Sequence, residues 1–156
     1  MTMIDKLATF CTATSVAASA GTALIGSQID LSTLTSRPGA GQPVYLVILP
    51  TTEIITGGNA GTIRFELASD STASIATDAT ATVICASPTY ATDGTDANDA
   101  QLKVGNVILC QPIDVRRSER YLGIRCVTTT TTTTAGAITA FLTLNPEAYL
   151  AYPNAI

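Results

Sequence analysis

The residues able to carry chemistry in this chain are few, and the most informative fact about them is a gap. No histidine occurs among the 156 residues, so the commonest general base and metal ligand is missing. Ser-His-Asp and Cys-His arrangements are thereby excluded. No G-x-x-x-x-G-K-[ST] phosphate loop is present. Gly39-Ala40-Gly41 precedes an apolar run, where a dinucleotide fingerprint would follow one, so these are turn glycines. The expectation is a protein that is not an enzyme, with no catalytic residues, no cofactor and no metal.

Four groupings still merit a chemical reading. Asp93-Gly94-Thr95-Asp96-Ala97-Asn98-Asp99 offers hard oxygen ligands of the kind that hold Ca²⁺. It lacks the order of an EF-hand loop and any closing Glu, so an acidic solvated loop is the better account. Cys11, Cys85, Cys110 and Cys126 form no C-x-x-C pair. They read as small buried hydrophobes, with a disulfide pair as the alternative in an oxidising compartment. In Asp114-Val115-Arg116-Arg117-Ser118-Glu119-Arg120-Tyr121, three of the chain's eight cations fall within five residues. Arg is favoured at interfaces because its planar fork pairs with carboxylates and stacks on rings. Arg116, Arg117 and Arg120 are therefore candidate partner-binding residues; the plainer alternative is a solvated turn held by local pairs to Asp114 and Glu119. The last grouping is the end of the chain, Glu147 to Ile156, with Tyr149, Leu150, Tyr152 and Ile156. So apolar a tail either packs back across the domain or docks on a neighbour, which adds Tyr149 and Tyr152 to the candidates.

These residues must be held by strands. β-Branched residues dominate and strong helix formers are scarce. In Thr62-Ile63-Arg64-Phe65-Glu66-Leu67 apolar and polar residues alternate, as in a strand with one buried and one wet face. Val44 to Leu49 is a continuous apolar run ended by Pro50, as in a strand covered on both faces. Ala23–Leu31, Ala79–Cys85, Val104–Cys110, Tyr121–Thr128 and Ala137–Leu144 are further strand candidates. Turns are expected at Arg37–Gly41 and Gly57–Gly61, a hairpin turn at Ala135-Gly136, and a long exposed loop over Ser87–Gln101. A short helix fits near Met3 to Thr12. The threonine run Thr128 to Thr134 reads as a strand passing into a loop, because an ice-binding face would need the same spacing on neighbouring strands. About seven or eight strands with this punctuation predict an all-β, jelly-roll-like antiparallel β-sandwich.

Length and charge fix the remaining bounds. One domain over 1–156 suffices, with 1–20 and 146–156 as terminal segments available for neighbours. Only 13% of residues are charged, and the net charge is −4. Nucleic-acid binding, which needs clustered cations, is not expected. No apolar run approaches a membrane span, and Leu7 to Ile25 is too broken by Thr and Ser for a secretory signal. No membrane partner is expected.

Taken in order, three stretches resemble the capsid cement proteins of tailed bacteriophages, typified by that of a Bordetella podovirus. They are Ile4-Asp5-Lys6-Leu7 through Thr12-Ala13-Thr14-Ser15 to Ile29-Asp30-Leu31; Gly39-Ala40-Gly41-Gln42-Pro43 feeding Val44-Tyr45-Leu46-Val47; and Arg120-Tyr121-Leu122-Gly123-Ile124 followed by a Thr-rich strand and Ala135-Gly136-Ala137-Ile138. The resemblance implies a virion structural protein on the outside of the major capsid shell, stapling adjacent capsomers against the pressure of packaged DNA. It implies the major capsid protein as partner, self-association as a homo-oligomer (a dimer before a trimer), and assembly in the bacterial host cytoplasm. The competing expectation is a carbohydrate-binding or adhesin-type β-sandwich. That reading calls for exposed aromatic platforms, which 5% aromatics and no Trp supply poorly.

Overall fold

A computed structural model describes residues 8–34, 43–57, 61–92 and 100–149. Nine strands run through them: β1 (Thr9–Ser15), β2 (Gly21–Asp30), β3 (Val44–Thr56), β4 (Gly61–Asp70), β5 (Thr82–Ala86), β6 (Tyr90–Thr92), β7 (Leu109–Ile113), β8 (Tyr121–Thr129) and β9 (Thr133–Thr143). One sheet has the order β1-β9-β3-β7 and the other β2-β8-β4-β5, with β6 also paired to β4. Every pair is antiparallel, and the pairs nest: β1 with β9, β2 with β8, β3 with β7, and β4 with β5 and β6. The β3–β9 and β4–β8 pairs then join these pairs into the two sheets. A long antiparallel ribbon wound into two facing sheets is the jelly roll, so the expected fold class holds.

The core lies between the sheets, and alternation explains who enters it. Ile63, Phe65 and Leu67 of β4 are fully buried and face Leu46 and Ile48 of β3 within one cluster. Val47 points the other way yet is equally buried, as expected of a strand covered on both faces. The strand does not stop at Pro50; it continues to Thr56 through irregular register beyond Pro50, where a missing N–H is tolerated.

Several local expectations are corrected. Thr9 to Thr12, read as the end of a short helix, belong to β1, because Phe10 and Cys11 are drawn into the core and the strand pairs with β9; Met3 to Leu7 lie outside the described residues. β8 and β9 form no hairpin: they lie in different sheets, and the chain crosses from one to the other at Thr130–Thr132, not at Ala135-Gly136. Gly136 sits inside β9, with φ 134°, where a Cβ would stand 2.8 Å from Ile54 Cγ1 and 3.0 Å from Val16 Cγ2. It is a close-packing glycine rather than a turn glycine. Of Val104–Cys110 only the last two residues are strand. The Ser87–Gln101 stretch is not one open loop: β6 interrupts it, and Tyr90 Oη donates to the Ile108 carbonyl at 2.8 Å. Asp93–Asp99, residues 37–41 and residues 58–60 lie outside the described residues.

Candidate interaction surfaces

The arginine segment links β7 to β8 at one end of the sandwich. Its middle is a single 3-10 turn, Val115–Arg117, with Asp114 at its N-cap accepting from the Arg116 amide at 3.0 Å. Val115, 2% exposed, plugs the turn into the core. The turn thereby presents Arg116 outward, and its guanidinium meets the Asp114 carboxylate at 2.9 and 3.1 Å. Local pairing to Asp114 is as the sequence suggested. Arg120 behaves differently. Its fork grips Asp30, at the end of β2, through bonds of 3.1 and 2.8 Å, while its Cζ lies 4.9 Å from the centre of the Tyr121 ring. Glu119 instead accepts from the Thr82 hydroxyl at 3.5 Å. The Arg120 bonds hold the Asp30 carboxyl far below the usual carboxylate range. Sequence distance hid Asp30, 90 residues away from its partner. The side chain of Arg117 and the whole of Tyr152 lie outside the described residues.

Tyr149 belongs to a short 3-10 turn, Glu147–Tyr149, beyond β9. Its ring packs edge-on against Phe141, with centroids 4.9 Å apart and planes at 67°. Phe141 is on the outer face of the four-stranded sheet, opposite Val47, and both are almost wholly buried. At Tyr149, then, the chain folds back on its own domain. The arginines and Tyr149 leave the sandwich near the same end but are not joined into one cluster by any contact among the described residues.

The outer face of the five-stranded sheet carries a feature the sequence concealed. Glu66 and Arg125 stand opposite each other on β4 and β8, 4% and 5% exposed. Arg125 Nη2 donates to Glu66 Oε2 at 2.7 Å, and Arg64 reaches Glu66 Oε1 at 2.6 Å. The face expected to be wet is roofed here by the connection from β4 to β5. Arg125 Nη1 donates to the carbonyls of Ala76 and Asp78, and Asp70 accepts from the Ala76 amide at 3.0 Å. Ile75 completes the roof by resting on Gly123, where a Cβ would come within 2.6 Å of Ile75 Cδ1.

All four cysteines are free thiols. Burial pushes Cys85 and Cys126 up to about 11 and raises Cys11 and Cys110 as well, which keeps them protonated near neutrality. Among the described residues no three His, Cys, Asp or Glu side chains gather as a metal site. Among them, too, no helix is long and apolar enough to cross a membrane.

The fold thus defines a jelly-roll sandwich with a zwitterionic arginine end and two outer faces covered in part by their own connections. The chain belongs to the Bbp16 family, a family of Bordetella phage proteins, whose model matches residues 10–142. That span runs from within β1 to one residue short of the end of β9 and so takes in both sheets. No curated protein matches the chain.

Proposed function

We propose that this phage protein is a cement protein that binds the outside of the major capsid shell and ties adjacent capsomers together against internal DNA pressure. It acts without catalysis, assembles in the bacterial host cytoplasm and stays on the virion surface. The carrying observation is the family match over a complete jelly roll. A rigid double sheet suits a part that transmits load, and repetition around a symmetric shell turns weak contacts into strong avidity. Self-association as a homo-oligomer, a dimer before a trimer, supplies the second arm of such a staple. The arginine end is the proposed contact: Arg116 stands outward on the turn anchored by Val115 and Arg120 just ahead of β8, each with its fork already oriented by a carboxylate. Arg117 belongs to the same turn. Purified protein mixed with capsids lacking it should bind to saturation and raise their melting temperature. Particles that neither take it up nor gain stability would refute the reading.

A further inference from the structure

Among the described residues the two sheets end in β1 and β7 and in β2 and β5, with β6 continuing the β5 edge. An unpaired edge presents a row of backbone donors and acceptors to any strand that approaches. Three of these edges are closed or blunted. β1 and β2 lie against each other: both are bulged, and a Cβ on Gly26 would stand 2.4 Å from the Phe10 carbonyl oxygen. β7 carries Pro112, which has no N–H to offer. β5 has neither proline nor charge. Its one irregularity is the register shift that leaves Ile84 as an extra residue opposite β4. Thr82, Val83 and Ala86 are exposed on it, and Val83, at 44%, is a large apolar side chain left in water.

Charge selects the partner. The chain is net −4, so two copies repel wherever their acids face each other. From Ala79 to Thr92 no residue is charged, and that run contains the whole of β5. Two copies of one strand pair antiparallel about a twofold axis, so each offers the groups that it receives. The same axis sets unlike charges toward each other. Glu119, exposed, accepts from Thr82 at one end of β5, while Arg64 lies two residues past the Ala86–Glu66 pair at the other.

We infer that β5 is the surface through which two copies of this chain associate, joining their five-stranded sheets edge to edge. The inference rests on the proposed self-association and gives it a place. Antiparallel pairing sends the two arginine poles to opposite ends of the dimer, the arrangement that a staple between adjacent capsomers needs.

Val83→Lys and Val83→Glu test it, because the two copies of residue 83 stand about 5–8 Å apart beside the axis. Analytical sedimentation of the unaltered protein should give a dimer, each variant a monomer, and an equal mixture of the two variants a dimer again. Both variants should keep the unaltered circular dichroism spectrum, since residue 83 is exposed. Variants that stay dimeric overturn the inference and leave self-association standing, with its interface elsewhere. Variants that stay monomeric when mixed overturn it as well, because the two Val83 positions then do not meet. An unaltered protein that sediments as a monomer or a trimer overturns the β5 pairing and the dimer together.

Discussion

Glu66 and Arg125 show how far one residue pair departs from what its neighbours in sequence suggest. Glu66 stands in a strand whose sequence alternates, at a position that should face water, yet burial alternates only as far as Phe65 and Phe65 to Ser69 are all buried. What changes its surroundings is the β4–β5 connection, which folds over the sheet and leaves the carboxylate 4% exposed. Nothing in the pattern of Ser71 to Asp78 announces that fold. Two charges so enclosed are held by three hydrogen bonds from Arg125 and one pair to Arg64. Removing one partner strands the other in a dry site, which costs about 3–5 kcal/mol. Arg125→Ala should therefore lower the unfolding free energy in urea by about that amount. Adding Glu66→Leu should recover part of the loss, because the uncompensated carboxylate is gone. Additive losses in the double variant would show that the pair is not coupled.

Among the elements, the β8–β9 crossing between the sheets gives the sharpest contrast between composition and structure. Gly marks turns by its freedom at positive φ, and Gly136 drew the turn to itself. The chain instead reverses within the threonine run. Thr128 and Thr133 face each other across this crossing, buried, with their hydroxyls 3.0 Å apart. Thr131 donates its amide to Thr129, and Gly57 donates its own to Thr132 at 2.7 Å. The price is backbone strain at Thr130, whose φ of 73° is the left-handed region that β-branched residues avoid. The region disfavours an ordinary L-residue by about 1–2 kcal/mol. Thr130→Gly relieves it, offset by the greater freedom of Gly when unfolded, and should stabilise the protein by about 0.5–1 kcal/mol. Thermal and urea midpoints would register the gain, and a loss would mean that the Thr130 side chain makes a contact that outweighs the strain. A strand with strong sequence alternation, such as β4, is legible for the reason this turn is not. Periodicity records a strand's two environments, whereas a run of identical residues has no phase.

At the scale of the whole molecule the jelly roll joins what sequence keeps apart. β1 pairs with β9, and the Cys11 thiol reaches the Ile138 carbonyl across 127 residues. Composition announces such a sandwich but cannot order its strands, since pairing is decided by which apolar faces close the core together. The same winding brings the ends of β2, β7 and β8 to one pole, where Asp30, Asp114, Arg116 and Arg120 lie. These ion pairs are solvent-exposed, and exposed pairs add little to folding stability. Their orientation is therefore little needed for stability, which makes them separable from the fold. Arg116→Ala with Arg120→Ala should leave the urea midpoint of the free protein nearly unchanged. On capsids the same double change acts at every copy. An Arg truncated at an interface commonly costs about 1 kcal/mol or more, about fivefold in affinity per site. Capsids titrated with the double variant should reach half-occupancy at a concentration at least about tenfold higher than with the unaltered protein. Equal titration curves for the two proteins would move the capsid contact away from this pole.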